Sequence, residues 1–409
     1  MYSDSVRLSE KKKVALVLSG GGVKAAAFHI GVCLALREKG FKFAGGTNAR
    51  DRLDFVGKPL TFNVYVGSSA GSVLATFLAS GHSLDSIIEA FTRGDGLDAL
   101  TRTKDQDREG TRLKPITYRD IFALNIGAAS MLRLVPKLFR KRLGVSGGVE
   151  SLFKELFKIN GVFSTKNLEH YMRRHVYPEN DFTNLGAELY IVATQLNHSR
   201  KAVFGPYPET SKTKEIKYCN YAKVSEAVAA SAALPPFFAP YGIRNEKGKE
   251  IYYFDGEIRD TLSTHVAADL GADLVIASYS IQPYHFNTEM GSLNEYGMPL
   301  IFNQALYQVV QQKIEAHIRH QQNVRGMIKS VQGYMREQGI SDIHVDKLTD
   351  ILTSRTGFNP AVDYIYIHPT PQDYEFFFYD HFSLNTKVLS GIVRTGFKSA
   401  MNTLRGFNI

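Results

Sequence analysis

Apolar positions along the chain fall into short continuous runs separated by longer stretches with helical spacing. Val14–Leu18 is apolar throughout, as a strand buried on both faces is, and meets Ser19-Gly20-Gly21-Gly22. Residues 25–37 then carry Ala and Leu at helical spacing, so the start of the chain predicts strand, glycine loop, helix. The unit repeats: residues 63–66 predict a second strand, Gly67-Ser68-Ser69-Ala70-Gly71 a sharp turn, and residues 73–79 an apolar helix running toward Gly81.

Further strands are predicted at residues 189–194, 251–254, 274–279 and 364–368, with helical segments such as 265–270 between them. Strands alternating with helices imply an α/β domain with a mostly parallel sheet. Residues 94–165 break this rhythm. A charged stretch, 103–114, leads into mixed basic and apolar residues bounded by Gly144, Gly147 and Gly148, which reads as an insertion over the sheet. Residues 299–336 predict one or two long helices rich in Gln, His and charge, and 382–404 a final amphipathic helix.

The 409-residue chain, 44% hydrophobic and 22% charged, suffices for a large core. Its first 13 residues are polar and lack signal-peptide form. The most weakly polar region, 224–243, contains Glu226, Pro235, Pro236 and Pro240 and falls short of the ~20 apolar residues of a spanning helix. The expectation is a cytoplasmic protein, at most peripheral at membranes. Cys33 and Cys219 form no disulfide framework, which suits a reducing compartment. A formal charge of +9 favours anionic partners, either nucleic acid or an anionic membrane face.

Gly67-x-Ser69-x-Gly71 between a strand and a helix has the form of a nucleophile elbow, in which flanking glycines relieve crowding as the serine hydroxyl projects from the sheet edge. Only Ser69 has glycine two residues away on both sides, which leaves Ser68 a silent neighbour. Acyl transfer also needs donors aimed at an oxyanion, and Gly20, Gly21 and Gly22 open a helix with their N–H groups beside its positive end. The same loop fits Gly-x-Gly-x-x-Ala, a dinucleotide fingerprint with Glu38 or Asp51 as ribose partners, but that reading gives no reason for a second sharp turn bearing a serine. Asp255, at the end of an apolar run and followed by Gly256, is the candidate base.

Taken together, Ser19-Gly20-Gly21-Gly22-Val23-Lys24, Gly67-Ser68-Ser69-Ala70-Gly71 and Asp255-Gly256 resemble, in that order, the oxyanion loop, elbow and aspartate motif of the patatin-like phospholipases. Ala230-Ser231-Ala232-Ala233-Leu234-Pro235 and the segment 268–276 are similar to the family as well, so the resemblance spans about 14–279. It implies a three-layer domain with a mostly parallel central sheet, covering 14–290, with the 291–409 helices and closing strand packed on it. It also implies a Ser69–Asp255 dyad and a Ser69 acyl-enzyme that needs no histidine, metal or cofactor, with a phospholipid or other acyl-lipid as substrate. Two departures stand out: Lys24 replaces the usual arginine, keeping charge without the guanidinium fork, and Glu257 stands where glycine or alanine is usual. A Glu257 side chain facing the site would raise the Asp255 pKa.

Other readings stay open from the sequence. His265, His285 and His368 follow Asp255, the serine, acid, histidine order of an α/β-hydrolase triad, although the elbow comes early for that fold. A non-catalytic, basic nucleotide- or nucleic-acid-binding protein is the second. Within the insertion, Met131, Leu134, Val135 and Leu138 share a helical face while Arg133, Lys137, Arg140 and Lys141 share another. Such a pattern suits peripheral docking on an anionic membrane, or a lid whose apolar face packs on the sheet.

Overall fold

The computed structural model describes residues 7–92, 113–125, 160–259, 261–356 and 358–408. The first apolar run forms β1 (Val14–Leu18), buried at all five positions. Its side chains alternate between two cores, Val14, Leu16 and Leu18 facing one and Ala15 and Val17 the other. That two-sided burial is why the run is apolar without interruption.

The other principal strands are β2 (Thr61–Ser68), β3 (Glu188–Gln195), β4 (Arg200–Phe204), β5 (Glu250–Asp255), β6 (Leu274–Ser278) and β7 (Asp363–Ile367). They lie in the order β7-β6-β1-β2-β3-β4, extended at the far edge by the short strands Ile216–Cys219 and Ser211–Lys212. Every pair from β7 to β3 is parallel, and β4 runs antiparallel to β3. β5 branches off the path, pairing antiparallel with the end of β3.

Helices cover both faces. α1 (Gly22–Glu38), α2 (Ala70–Ala79), α3 (Val224–Ser231) and α6 (Thr386–Leu404) bury apolar residues in the first core, while α4 (Thr264–Asp269) and Ile314 of α5 (Met298–Glu337) enter the second. This is the three-layer arrangement expected from the alternation of strands and helices. α1 and α6 touch backbone to backbone: a Cβ at Gly31 would lie 2.0 Å from the Val393 carbonyl oxygen, and one at Gly396 would lie 2.1 Å from that of Phe28.

Three expectations change in detail. The 299–336 region is a single 40-residue helix. The last helix begins at Thr386 rather than 382, because Asn385 caps it by accepting from the Lys387 and Val388 amides, and residue 382 belongs to the loop before it. The strands Arg200–Phe204 and Tyr241–Arg244 were absent from the pattern reading, each being short and interrupted by charge or glycine. Of the 94–165 insertion only 113–125 and 160–165 are described, so Arg133, Lys137, Arg140 and Lys141 lie outside the described residues. Among the described residues no helix is long and apolar enough to cross a membrane.

Candidate active site

Two strands approach the same flank of β3 from opposite directions. β2 runs parallel to β3 until Ser68 pairs with Val192, and β5 arrives antiparallel until Asp255 pairs with Ala193, the next position along. The chain leaves β2 at Ser69 and β5 at Asp255, so the register itself sets these two residues side by side. β1 ends on the other flank of β2, with Leu18 opposite Gly67, which brings the glycine loop to the same edge. Parallel-sheet proteins bind ligands at this carboxyl edge of the strands.

Ser69 has φ 50° and ψ −125°, a conformation costly for a residue with a Cβ, and such strain collects at functional turns. It is held from several sides. The Ser69 N–H donates to the Ser231 hydroxyl (2.8 Å), which itself donates to the Val192 carbonyl (2.6 Å). Gly71 lets α2 pass over the end of β1, since a Cβ there would fall 2.2 Å from the Leu18 carbonyl oxygen. The Asp255 carboxyl lies beside the Ser69 hydroxyl, which pulls its pKa down, and its Oδ1 accepts the Glu257 N–H at 2.9 Å across the turn at Gly256. Asp255 is buried, and burial raises its pKa from 3.8 to about 6 against the opposing pull of these two donors.

Glu257 is where the site departs most from expectation. Its carboxyl Oε1 accepts the Gly20 N–H (2.8 Å) and the Ser68 hydroxyl, and its Oε2 is buried with no hydrogen-bond partner. Burial, aided by the Asp255 charge, raises its pKa from 4.5 to about 8. Three corrections follow. Glu257 does face the site, but Asp255 owes its raised pKa to burial rather than to Glu257, whose N–H lowers it. Ser68 is not silent, because it binds Glu257. Gly20 has its amide engaged, which leaves Gly21 and Gly22, neither of whose amides donates to a backbone carbonyl, as the loop's open donors. An acidic group on Gly20 also argues against the phosphate-loop reading, since a phosphate would meet a carboxyl there.

Gly22 has φ 70°, and the His381 carbonyl, 2.5 Å from where its Cβ would be, accepts the Lys24 N–H at 3.1 Å. The segment before α6 thus packs against the start of α1. Lys24 is buried away from the cleft: its ammonium donates to the Phe377 carbonyl (3.3 Å) and lies 4.4 Å from the centre of the Phe376 ring, with burial lowering its pKa to about 7. Its support is therefore given to that segment. His29 on α1 ties the loop to β6. Its Nε2 lies 2.9 Å from the Ser19 carbonyl oxygen, which can only accept, so Nε2 carries the proton and Nδ1 accepts from the Ser278 hydroxyl (2.7 Å).

The histidines of the triad reading are engaged elsewhere or exposed. His265 contacts Lys201 at 2.6 Å, His368 bonds the Pro369 carbonyl and stacks on Tyr279, and His285 is exposed. Among the described residues no histidine hydrogen-bonds to Ser69 or Asp255, and no group of three His, Cys, Asp or Glu side chains is placed to hold a metal ion.

Ser69 opens into a cleft of about 740 Å³, counting its mouth, lined by Val23, Val73, Phe91, Leu168, Phe238 and Phe382 among others. Its surface is overwhelmingly apolar. No local pattern marks Phe91 or Phe382 as site residues, nor Ser231 beyond its place in an Ala-rich segment, because their roles arise only when distant segments meet.

None of the curated protein sequences compared with the chain matches it significantly. Among solved structures, VipD from Legionella pneumophila is similar over 97% of this chain and 67% of its own, at 16% identity and a TM-score of 0.37. ExoU in its complex with SpcU, from the type III secretion system of Pseudomonas aeruginosa, is similar over 56% of this chain and 38% of its own, at 21% identity and a TM-score of 0.21. Residues 16–268, more than half of the sequence, match one family description, and the chain belongs to that family, the patatin-like phospholipases.

Proposed function

We propose that the chain is a lipid acyl hydrolase that cleaves fatty acyl esters of phospholipids through Ser69 and Asp255, with residues 14–290 as its catalytic domain and the 291–409 elements packed on it. The observation that carries this reading is the register that sets the strained Ser69 beside a buried Asp255 at the meeting point of three strand ends.

Ser69 Oγ attacks the ester carbonyl as Asp255 takes its proton, and the oxyanion forms against the Gly21 and Gly22 amides and the amide of Ala70, which follows the nucleophile. Asp255 returns the proton to the departing alcohol, leaving an acyl-enzyme on Ser69. Water then gives a proton to Asp255 and attacks, and the fatty acid leaves as Ser69 regains its hydrogen. A base acting near neutrality works best with a pKa close to ambient pH, and burial brings Asp255 to about 6. The apolar cleft beside Ser69 supports a fatty acyl chain as the group bound there.

The test is labelling with a fluorophosphonate probe and peptide mapping of the wild type, Ser69→Ala and Asp255→Asn, alongside phospholipid turnover. Labelling at Ser69 that depends on Asp255 is the expected result. A folded wild type that neither labels nor hydrolyses esters, or that labels at another serine, overturns the proposal.

A further inference from the structure

The family motifs account for Ser69, Asp255 and the glycine loop, but not for a second buried acid between them. Glu257 touches both halves of the site. Its Oε1 accepts from Gly20 on the loop after β1 and from Ser68 at the end of β2, and its backbone N–H donates to Asp255. Its Cγ and the Ser69 Cβ both lie 2.7 Å from where a Cβ on Gly20 would sit, so its side chain fills the angle between loop and elbow.

We propose that Glu257 is a positioning residue of this hydrolase, an uncharged acid that clamps the glycine loop to the elbow and must keep its proton for turnover. The inference rests on the hydrolase reading above. Oε2 carries the argument. A carboxylate would spread charge onto this buried, partnerless oxygen, next to an Asp255 that must itself be anionic to act as base. A carboxylic acid leaves the two bonds at Oε1 intact and places only a neutral O–H at the orphan position. The bonds from Ser68 and Gly20 pull its pKa down, but both donors are neutral, and burial together with the Asp255 charge outweighs them. Two adjacent carboxyls with pKa values pushed apart divide the labour: one is the base, the other stays protonated. Deprotonation of Glu257 would also set a negative charge beside the loop where the oxyanion develops.

The working form, Asp255 ionised and Glu257 neutral, exists between about pH 6 and about pH 8. The experiment compares pH profiles of kcat and kcat/KM on p-nitrophenyl butyrate for the wild type, Glu257→Gln and Glu257→Ala. The wild type should give a bell with limbs near 6 and 8. Glu257→Gln, whose amide oxygen accepts the same two bonds, should keep the acid limb and lose the alkaline one, and Glu257→Ala should lose about tenfold or more in kcat at pH 7. An alkaline limb that survives in Glu257→Gln, or a wild-type kcat and profile in Glu257→Ala, overturns the proposal.

A second measurement stands apart from turnover. The folded pKa of Glu257 lies above its unfolded value, so Glu257 makes the wild type lose stability as pH rises from about 4.5 to about 8, a loss that Glu257→Gln is spared. The urea midpoint of the variant should therefore pull ahead of the wild type across that window, and parallel midpoints overturn the proposal even if no substrate is turned over. Failure of Ser69 labelling in the wild type, by contrast, removes the hydrolase reading itself.

Discussion

Asp255→Asn should make the protein more stable while disabling it. The native fold keeps Asp255 buried beside Ser69, and lifts its pKa from 3.8 to about 6. Holding the anion there at pH 7 costs roughly 3 kcal/mol relative to the unfolded chain. Asparagine removes the charge but keeps an oxygen to accept the Glu257 N–H. The sign follows from linkage. The folded state binds this proton more tightly than the unfolded chain, so the Asp255 contribution to stability falls as pH rises from about 3.8 to about 6 and is level beyond. The variant's advantage is therefore close to nil at pH 4, grows through pH 5 and 6, and reaches roughly 1–3 kcal/mol at pH 7. With a urea dependence of about 3 kcal/mol/M, that is a rise of up to about 1 M in the unfolding midpoint, followed by far-UV circular dichroism because the chain has no tryptophan. Fluorophosphonate labelling should fall by about 10²- to 10⁴-fold with the base gone. An unchanged midpoint at pH 7, or a gain of equal size at pH 4 and pH 7, refutes the account of Asp255 as a buried anion held at a cost to the fold.

Phe91 separates the Ser69 cleft from a second apolar pocket of about 790 Å³, counting its open face, bounded by Ile30, Leu389 and Phe397. Phe91→Ala should join the two and favour longer acyl chains, each newly buried methylene contributing about 0.8 kcal/mol, or about fourfold in kcat/KM; an unchanged ratio of sixteen-carbon to eight-carbon ester turnover counts against it. Gly31→Ala should cost about 1–3 kcal/mol by forcing α1 away from α6, whereas Gly326→Ala on α5, whose Cβ would meet nothing within 4 Å, should gain about 0.5–1 kcal/mol; urea midpoints decide both. Lys24 has its pKa lowered by burial to about 7, so wild-type stability should rise with pH from about 7 to 10.5, and Lys24→Met should flatten that rise, read from melting curves across the range.

What the sequence discloses and what it withholds divide along a physical line. β1, the elbow and the Asp255 turn were legible because each is a local event: a strand buried on both faces must be apolar throughout, and a turn of unusual geometry must carry glycine beside its functional residue. The strand Arg200–Phe204 was illegible for the converse reason. It carries Arg200 and Lys201 within the run, so the sheet is completed there by pairing that only β3 and its neighbours supply. The late start of α6 is a similar case, since Phe382 continues the apolar spacing of the helix but is used to line the cleft.

Glu257 shows the same division inside the site. By sequence it is one acid next to another, and the natural inference is that the two repel and Asp255 shifts upward. The fold reverses the direction of influence, because β5 reaches β3 antiparallel and the chain turns at Gly256, directing Glu257 back toward the loop after β1. Asp255 gains a donor from the Glu257 backbone, and Glu257 is the carboxyl whose pKa the neighbouring charge helps to raise. An acid that would be a liability beside a catalytic aspartate becomes a neutral tie between the two loops. That change needs only the direction of one strand, which local residue patterns do not encode.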